Sequence, residues 1–272
     1  MTTGGELLLV GCGKMGGAML RGWLARGVRA ADVRVVEPNP AASADLAATG
    51  VAVVGEVAAL PAELAPAVVV LAVKPQMMEA IMPACRRFAG PATVFLSIAA
   101  GKTIGSFERH LGAAAAIVRA MPNTPAAVGR GITVACANRY VSAAQRARCD
   151  QLLAAVGEVA WVEDEALLDP VTAVSGGGPA YVFLLIECLA EAGVAAGLPA
   201  DLAMRLARAT VSGSGELARV SPEPAATLRQ NVTSPGGTTL EALKILMASD
   251  GLQPLLTKAI AAATRRSREL AN

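Results

Sequence analysis

The chain has 272 residues, of which 54% are hydrophobic, 17% charged and only 3% aromatic. A sequence this apolar buries enough surface to offset the entropy of ordering, which excludes an intrinsically disordered chain. With 24 Lys and Arg against 22 Asp and Glu, the net charge is +2, too balanced for a basic stripe, and no nucleic-acid partner is expected.

Residues 7–10, Leu-Leu-Leu-Val, are the first predicted strand. Gly11-Cys12-Gly13-Lys14-Met15-Gly16 follows at once and leads into a predicted helix over 15–25. This is a complete G-x-G-x-x-G between strand and helix. Gly11 permits the tight turn, Gly13 lets the backbone approach a pyrophosphate, and Gly16 lets the helix pack close to the strand. The free N–H groups and positive end of that helix suit an anion. A second strand over 33–37 ends on Glu37, about 20 residues beyond Gly16, where an acid binds the adenosine ribose hydroxyls. The same carboxylate repels a 2′-phosphate, which argues for NADH over NADPH; a solvated strand-end carboxylate is the alternative. Asn39 can serve either cofactor.

A helix over 41–48 and a weaker strand over 51–54 come next. The strand over 68–73 runs into Ala72-Val73-Lys74-Pro75, at the carboxyl end where open α/β sheets bind ligands. Lys74 either touches a phosphate or ribose or is a solvated charge. After a helix over 77–88 and a strand over 94–97, the small residues Ala99 and Ala100 would let a flat ring lie against the backbone. The one histidine, His110, ends an amphipathic helix that Gly112 stops, which gives it a helix-end role rather than a catalytic one. A strand over 117–119 precedes the proline-stiffened loop that presents Asn123 and Thr124. A strand over 132–136, a helix over 143–156 and a strand over 159–162 complete the alternation. Continuous apolar strands separated by helices predict a parallel sheet covered on both faces.

Beyond residue 163 the pattern is helical: 179–196, 201–219, 222–230, 239–249 and 252–270. The division predicted is 1–165 for the dinucleotide-binding domain and 166–272 for an Ala-rich helical domain that suits oligomerisation. The helix over 179–196 reads as buried, with Glu187 and Glu191 its only charges. Ser175-Gly176-Gly177-Gly178-Pro179 interrupts the longest uncharged run, so no membrane partner is expected. The N-terminus lacks the basic and apolar regions of a signal peptide, and the expected location is cytoplasmic. Five cysteines without a C-x-x-C pair argue against a disulfide framework or a metal site. Ahead of the helix at 239, Thr238 and Glu241 read as a capping box. The glycines and further hydroxyls around it suit a carboxylate-binding nest of backbone N–H groups.

Taken together, GCGKMG, AVKP, SIAAG, AMPNTPA, SGGGPAYVF and SPGGTT stand in the order and spacing of one family. The chain resembles pyrroline-5-carboxylate reductases from Gly11 to its final helix. The resemblance implies an α/β protein: an N-terminal Rossmann-type dinucleotide-binding domain followed by an all-α C-terminal substrate-binding and dimerisation domain. It implies hydride transfer from NADPH or NADH to the C=N bond of 1-pyrroline-5-carboxylate, giving L-proline. Gly11, Cys12, Gly13, Lys14, Met15 and Gly16 match the family's dinucleotide loop, and Ala72, Val73, Lys74 and Pro75 match its second cofactor segment. Ala99 and Ala100 match the nicotinamide side. Asn123 and Ser175 are expected at the substrate, Gly237 and Thr238 at its carboxylate, and Thr239 as the catalytic hydroxyl facing the ring nitrogen. A homodimer at least is implied, with a decamer of dimers in a ring as the larger assembly. One departure is Gly177, where the family usually has Ser. The competing readings are another imine reductase or a hydroxyacid dehydrogenase of the same plan, and a non-catalytic dinucleotide-sensing module. The helix over 181–196 has no Lys to act as a hydroxyacid dehydrogenase's base.

Overall fold

The computed structural model describes residues 5–271 except residues 40, 43 and 45–47. The helix expected over 41–48 falls largely on these and lies outside the described residues. Two compact units make up the chain: Met1–Gly176 with Ala263–Asn272, and Gly177–Ala262.

The first unit is built on one eight-stranded sheet. Its strands are β1 (Leu7–Val10), β2 (Val33–Val36), β3 (Ala52–Val54), β4 (Val68–Leu71), β5 (Val94–Ser97), β6 (Ala116–Met121), β7 (Gly131–Ala137) and β8 (Gly157–Trp161). They lie in the order β3-β2-β1-β4-β5-β6-β7-β8. The first six strands are parallel, and Val10 at the end of β1 lies level with Val36 on one side and Leu71 on the other. The strand order reverses between β1 and β4, so a crevice opens at their carboxyl ends.

The expectation of a parallel sheet fails at one pair, because β7 runs antiparallel to β6. The connection between them holds only a 3-10 turn, Thr124–Val128, closed by Gly129 in the left-handed region. That is too short for a crossover helix, so the chain must reverse. A helix over Ala143–Ala154 then carries β8 back parallel to β7.

Helices cover both faces: α1 (Lys14–Ala25), α2 (Pro75–Cys85), α3 (Ile104–Leu111) and α4 (Ala143–Ala154). The strands alternate between the two cores, as a period of two requires. Leu7, Leu9, Val68, Val70 and Leu96 pack with Met19, Leu20 and Trp23 of α1 and Leu152 and Leu153 of α4. Leu8, Val10, Val69, Leu71 and Phe95 pack with Met78 and Met82 of α2 and Phe107 of α3. The buried Trp23 Nε1–H donates to the Leu152 carbonyl at 2.9 Å and joins α1 to α4. Leu168, past the last strand, is fully buried in the second of these cores, so the helical region begins while the chain is still packed on the sheet.

The second unit is helical: α5 (Gly178–Ala195), α6 (Ala200–Val220), α7 (Ala225–Asn231), α8 (Thr238–Leu246) and α9 (Leu252–Ala271), whose last turns belong to the first unit. A side chain at Gly193 would stand 3.2 Å from Ala203 Cβ, so small residues let α5 and α6 approach closely. Two expectations are corrected here. Among the described residues of α5 only Ala190 is buried, while Phe183 is 59% exposed; an apolar helix has neighbours on one side only. The Ser-Gly-Gly-Gly-Pro segment is no interruption either. Thr172–Gly176 forms a π-helical turn, Gly177 is in the right-handed helical region, and Pro179 falls in the first turn of α5, where its missing N–H costs nothing. Among the described residues, the continuous run Glu165–Ala195 is therefore long and apolar enough to cross a membrane by length and composition, a test that the core helix of a soluble protein also passes.

Candidate functional site

The glycine loop adopts the geometry its sequence requires. Gly11 has φ +95, and a Cβ there would meet Val73 Cγ1 at 2.8 Å. Its N–H donates to the Val36 carbonyl at 2.8 Å. A Cβ on Gly16 would collide with the Gly11 carbonyl oxygen, so the third glycine sets how closely α1 meets the sheet. At Gly13 a Cβ would meet nothing within 4 Å: the space in front of it is open. Gly13 is the N-cap of α1 and no side chain caps the helix. The amides of Gly13, Lys14 and Met15 have no acceptor among the described residues. An uncapped helix start facing open space is what a pyrophosphate requires.

Glu37 closes this loop from the end of β2. Its Oε2 accepts the Cys12 N–H at 2.8 Å, and its Oε1 accepts the Asn39 N–H at 2.9 Å. Asn39 Oδ1 in turn accepts the Ala41 N–H at 3.0 Å. Burial pushes the Cys12 thiol up to about 11; the Glu37 carboxylate adds to the shift and Arg21 partly offsets it. That thiol is a packed, un-ionised neighbour of the loop, not a nucleophile.

A cavity of about 650 Å³ opens beside the loop, and its wall includes Gly11, Gly13, Glu37, Asn39, Ala72, Val73 and Lys74. These seven expected cofactor residues are brought together. Cys12, Lys14, Met15, Gly16, Pro75, Ala99 and Ala100 are not on that wall. Lys74 is the exposed N-cap of α2 and Pro75 its first residue, so the strand expected to reach 73 ends at Leu71. Ala99 is buried, and its N–H donates to Ser97 Oγ at 3.3 Å. The open glycine, the free amides and the strand-end carboxylate fit a dinucleotide.

Asn123 has a structural duty: its Oδ1 accepts the Ile132 N–H at 2.9 Å and fixes the start of β7. Ser175 Oγ is the buried side-chain oxygen left without a partner among the described residues. It lies in the π-helical turn Thr172–Gly176, and such turns often mark functional positions. Sequence reading missed one polar centre. Arg119, 4% exposed, pairs with Glu165 at 2.8 Å, and the same carboxylate oxygen accepts the Ile104 N–H at the start of α3. Forty-six positions separate the pair, and neither residue belongs to a motif.

In the second unit, Gly236 has φ +67, and the Gly237 N–H donates to the Ser234 carbonyl at 3.0 Å. The expected capping box is absent. Gly237, not Thr238, is the N-cap of α8, and no side chain caps it. With the helix starting one residue early, Glu241 is out of reach of the N-cap and pairs with Lys244 at 2.6 Å instead. Thr238 and Thr239 are exposed, and their N–H groups have no acceptor among the described residues. Backbone donors and hydroxyls at a helix start can receive a carboxylate without any arginine.

Residues 165–270 match the family described as pyrroline-5-carboxylate reductase dimerisation, and residues 6–101 match NADP oxidoreductase coenzyme F420-dependent. A pyrroline-5-carboxylate reductase of Pseudomonas aeruginosa is 42% identical over 267 residues, covering 98% of this chain and 97% of that protein. The structure of a pyrroline-5-carboxylate reductase from Coxiella burnetii superposes with a TM-score of 0.92 at 34% identity, over 98% of this chain and 99% of that one. The Plasmodium falciparum pyrroline carboxylate reductase with NADP bound gives 0.83 at 29% identity, with both chains covered in full.

Proposed function

The chain belongs to the pyrroline-5-carboxylate reductase family, and on that premise we propose that it reduces the C=N bond of 1-pyrroline-5-carboxylate with NAD(P)H, giving L-proline. The observation that carries the reading is the start of α8, where Gly236 turns the chain and the Thr238 and Thr239 amides stand open and uncapped. A dinucleotide-sensing module has no use for that second anion site.

The Gly237 and Thr238 backbone would hold the substrate carboxylate, and the Thr239 hydroxyl would face the ring nitrogen. Asn123 and Ser175 would complete the substrate contacts, Ser175 through its unpartnered hydroxyl. Gly11 to Gly16 would hold the pyrophosphate on the open amides of α1, with Glu37 and Asn39 at the adenosine ribose. Ala72, Val73, Lys74, Pro75, Ala99 and Ala100 would line the rest of the cofactor. Bound NAD(P)H supplies a hydride. A cyclic imine is basic enough to be protonated readily, so the protein's work is to orient it, polarise its nitrogen and exclude water. Histidine is not required, which fits a chain whose one histidine, His110, lies in the last turn of α3.

The chain forms homo-oligomers through its dimerisation region, and the exposed apolar side chains of α5 are the surface that would meet a second copy. A decamer of dimers in a ring, a cytoplasmic location and the division 1–165 and 166–272 complete the proposal. The discriminating experiment compares 1-pyrroline-5-carboxylate with 1-pyrroline, which lacks the carboxylate. A loss of at least about 100-fold in kcat/KM is expected, the worth of two charge-assisted hydrogen bonds. Equal rates would remove the nest from the mechanism.

A further inference from the structure

We infer that Glu37 makes this protein selective for NADH over NADPH. The inference rests on the reading of the cavity beside the glycine loop as the adenosine end of the cofactor site.

Three charged side chains line that cavity among the described residues: Glu37, Glu56 and Lys74. Two carboxylates oppose one ammonium, and no arginine is on the wall. A 2′-phosphate carries about −1.5 to −2 charges near neutral pH, so it would enter a wall of the same sign. Ribose hydroxyls, by contrast, are donors, and a carboxylate is the acceptor that suits them.

Glu37 also cannot swing aside. Its two oxygens are each held by a backbone N–H, Cys12 on the glycine loop and Asn39 just beyond the strand. Each oxygen keeps acceptor capacity for a ribose hydroxyl. Rotating the carboxylate away to admit a phosphate would orphan the amide of Cys12, a residue only 3% exposed, and an unpaired buried donor is costly. The carboxylate is therefore a fixed part of the loop. The solved Plasmodium falciparum relative has NADP bound, so the selectivity proposed belongs to this chain and not to the relatives as a group.

Lys74 is the one cation on that wall among the described residues, so the test includes it. Calorimetric titration of the full chain with NADH, NADPH, AMP and 2′-phospho-AMP reads affinity without turnover. NADPH is expected to bind at least about tenfold more weakly than NADH, with the same order for the two fragments. Glu37→Gln and Glu37→Ser should narrow the gap by strengthening NADPH. Lys74→Gln should weaken both dinucleotides in the same proportion. NADPH binding as tightly as NADH to the unaltered chain would overturn the inference while leaving the reductase reading intact. Selective loss of NADPH in Lys74→Gln would overturn it as well. Failure of both dinucleotides to bind would overturn the inference and the proposed function together.

Discussion

Thr239 is the residue on which the proposed chemistry turns. Thr239→Ala should lower kcat by about 100-fold, at the lower end of what a positioned proton donor contributes. KM should change little, and Thr239→Ser should recover most of the rate. Because Thr239 is exposed at a helix start, the thermal midpoint should stay within a degree or so of the original, since surface changes are worth about 0.5 kcal/mol or less. An unchanged kcat in Thr239→Ala would end this role. The buried thiols make a second residue-scale prediction. Burial raises Cys12 from 9.0 to about 11 and Cys85 and Cys149 to about 12. On unfolding these thiols ionise near pH 9, while in the folded protein they keep their protons to pH 11 or 12. The unfolded chain then binds fewer protons, so stability is fully present below pH 9 and falls as pH rises above it. Urea midpoints measured across that window should fall steadily; a flat profile would mean that the thiols are not buried in solution.

Among the elements, Arg119 at the heart of β6 holds Glu165 and, through it, the first turn of α3. Arg119→Met leaves Glu165 unpaired and removes the packing that fixes its carboxylate. The expected cost is on the order of 2–3 kcal/mol, less than for a fully buried pair because Glu165 keeps 28% of its side-chain surface. Denaturant unfolding would read this directly, and a loss under about 0.5 kcal/mol would show that the pair is merely present. This pair also marks where sequence reading stops. The apolar β-branched runs placed β1, β2, β4 and β5 to within two residues, because strands buried on both faces leave that pattern. Periodicity says nothing of direction, so the reversal of β7 was hidden, although the short connection over 122–130 was a usable signal. The Thr238–Glu241 box looked sound in sequence and failed because Gly237 took the N-cap. Glycine and proline between residues 175 and 179 looked like a break, yet each sits where a helix tolerates it.

For the molecule as a whole, the second unit leaves Phe183, Leu184 and Leu185 between 45% and 59% exposed in the protomer. Apolar surface on that scale is an interaction surface, and residues 165–270 match a dimerisation family. Leu184→Asp should therefore shift the protein toward monomer in sedimentation experiments, lower its thermal midpoint and weaken the dependence of that midpoint on protein concentration. Unaltered association would place the dimer contact elsewhere. At this scale the sequence was most informative. The glycine loop and the hydroxyl-rich start of α8 were legible as uncapped helix starts, because backbone donors there are written in glycine and small polar residues. The hydrogen bond by which Asn123 fixes the start of β7 was not legible, since it depends on which neighbours the fold supplies. The most direct test of the central claim is to mix the protein with 1-pyrroline-5-carboxylate and reduced cofactor, then quantify cofactor oxidised and proline formed. The prediction is one proline for each cofactor consumed, with NADH the faster donor. Binding of reduced cofactor with no proline formed from either donor would contradict the reductase assignment.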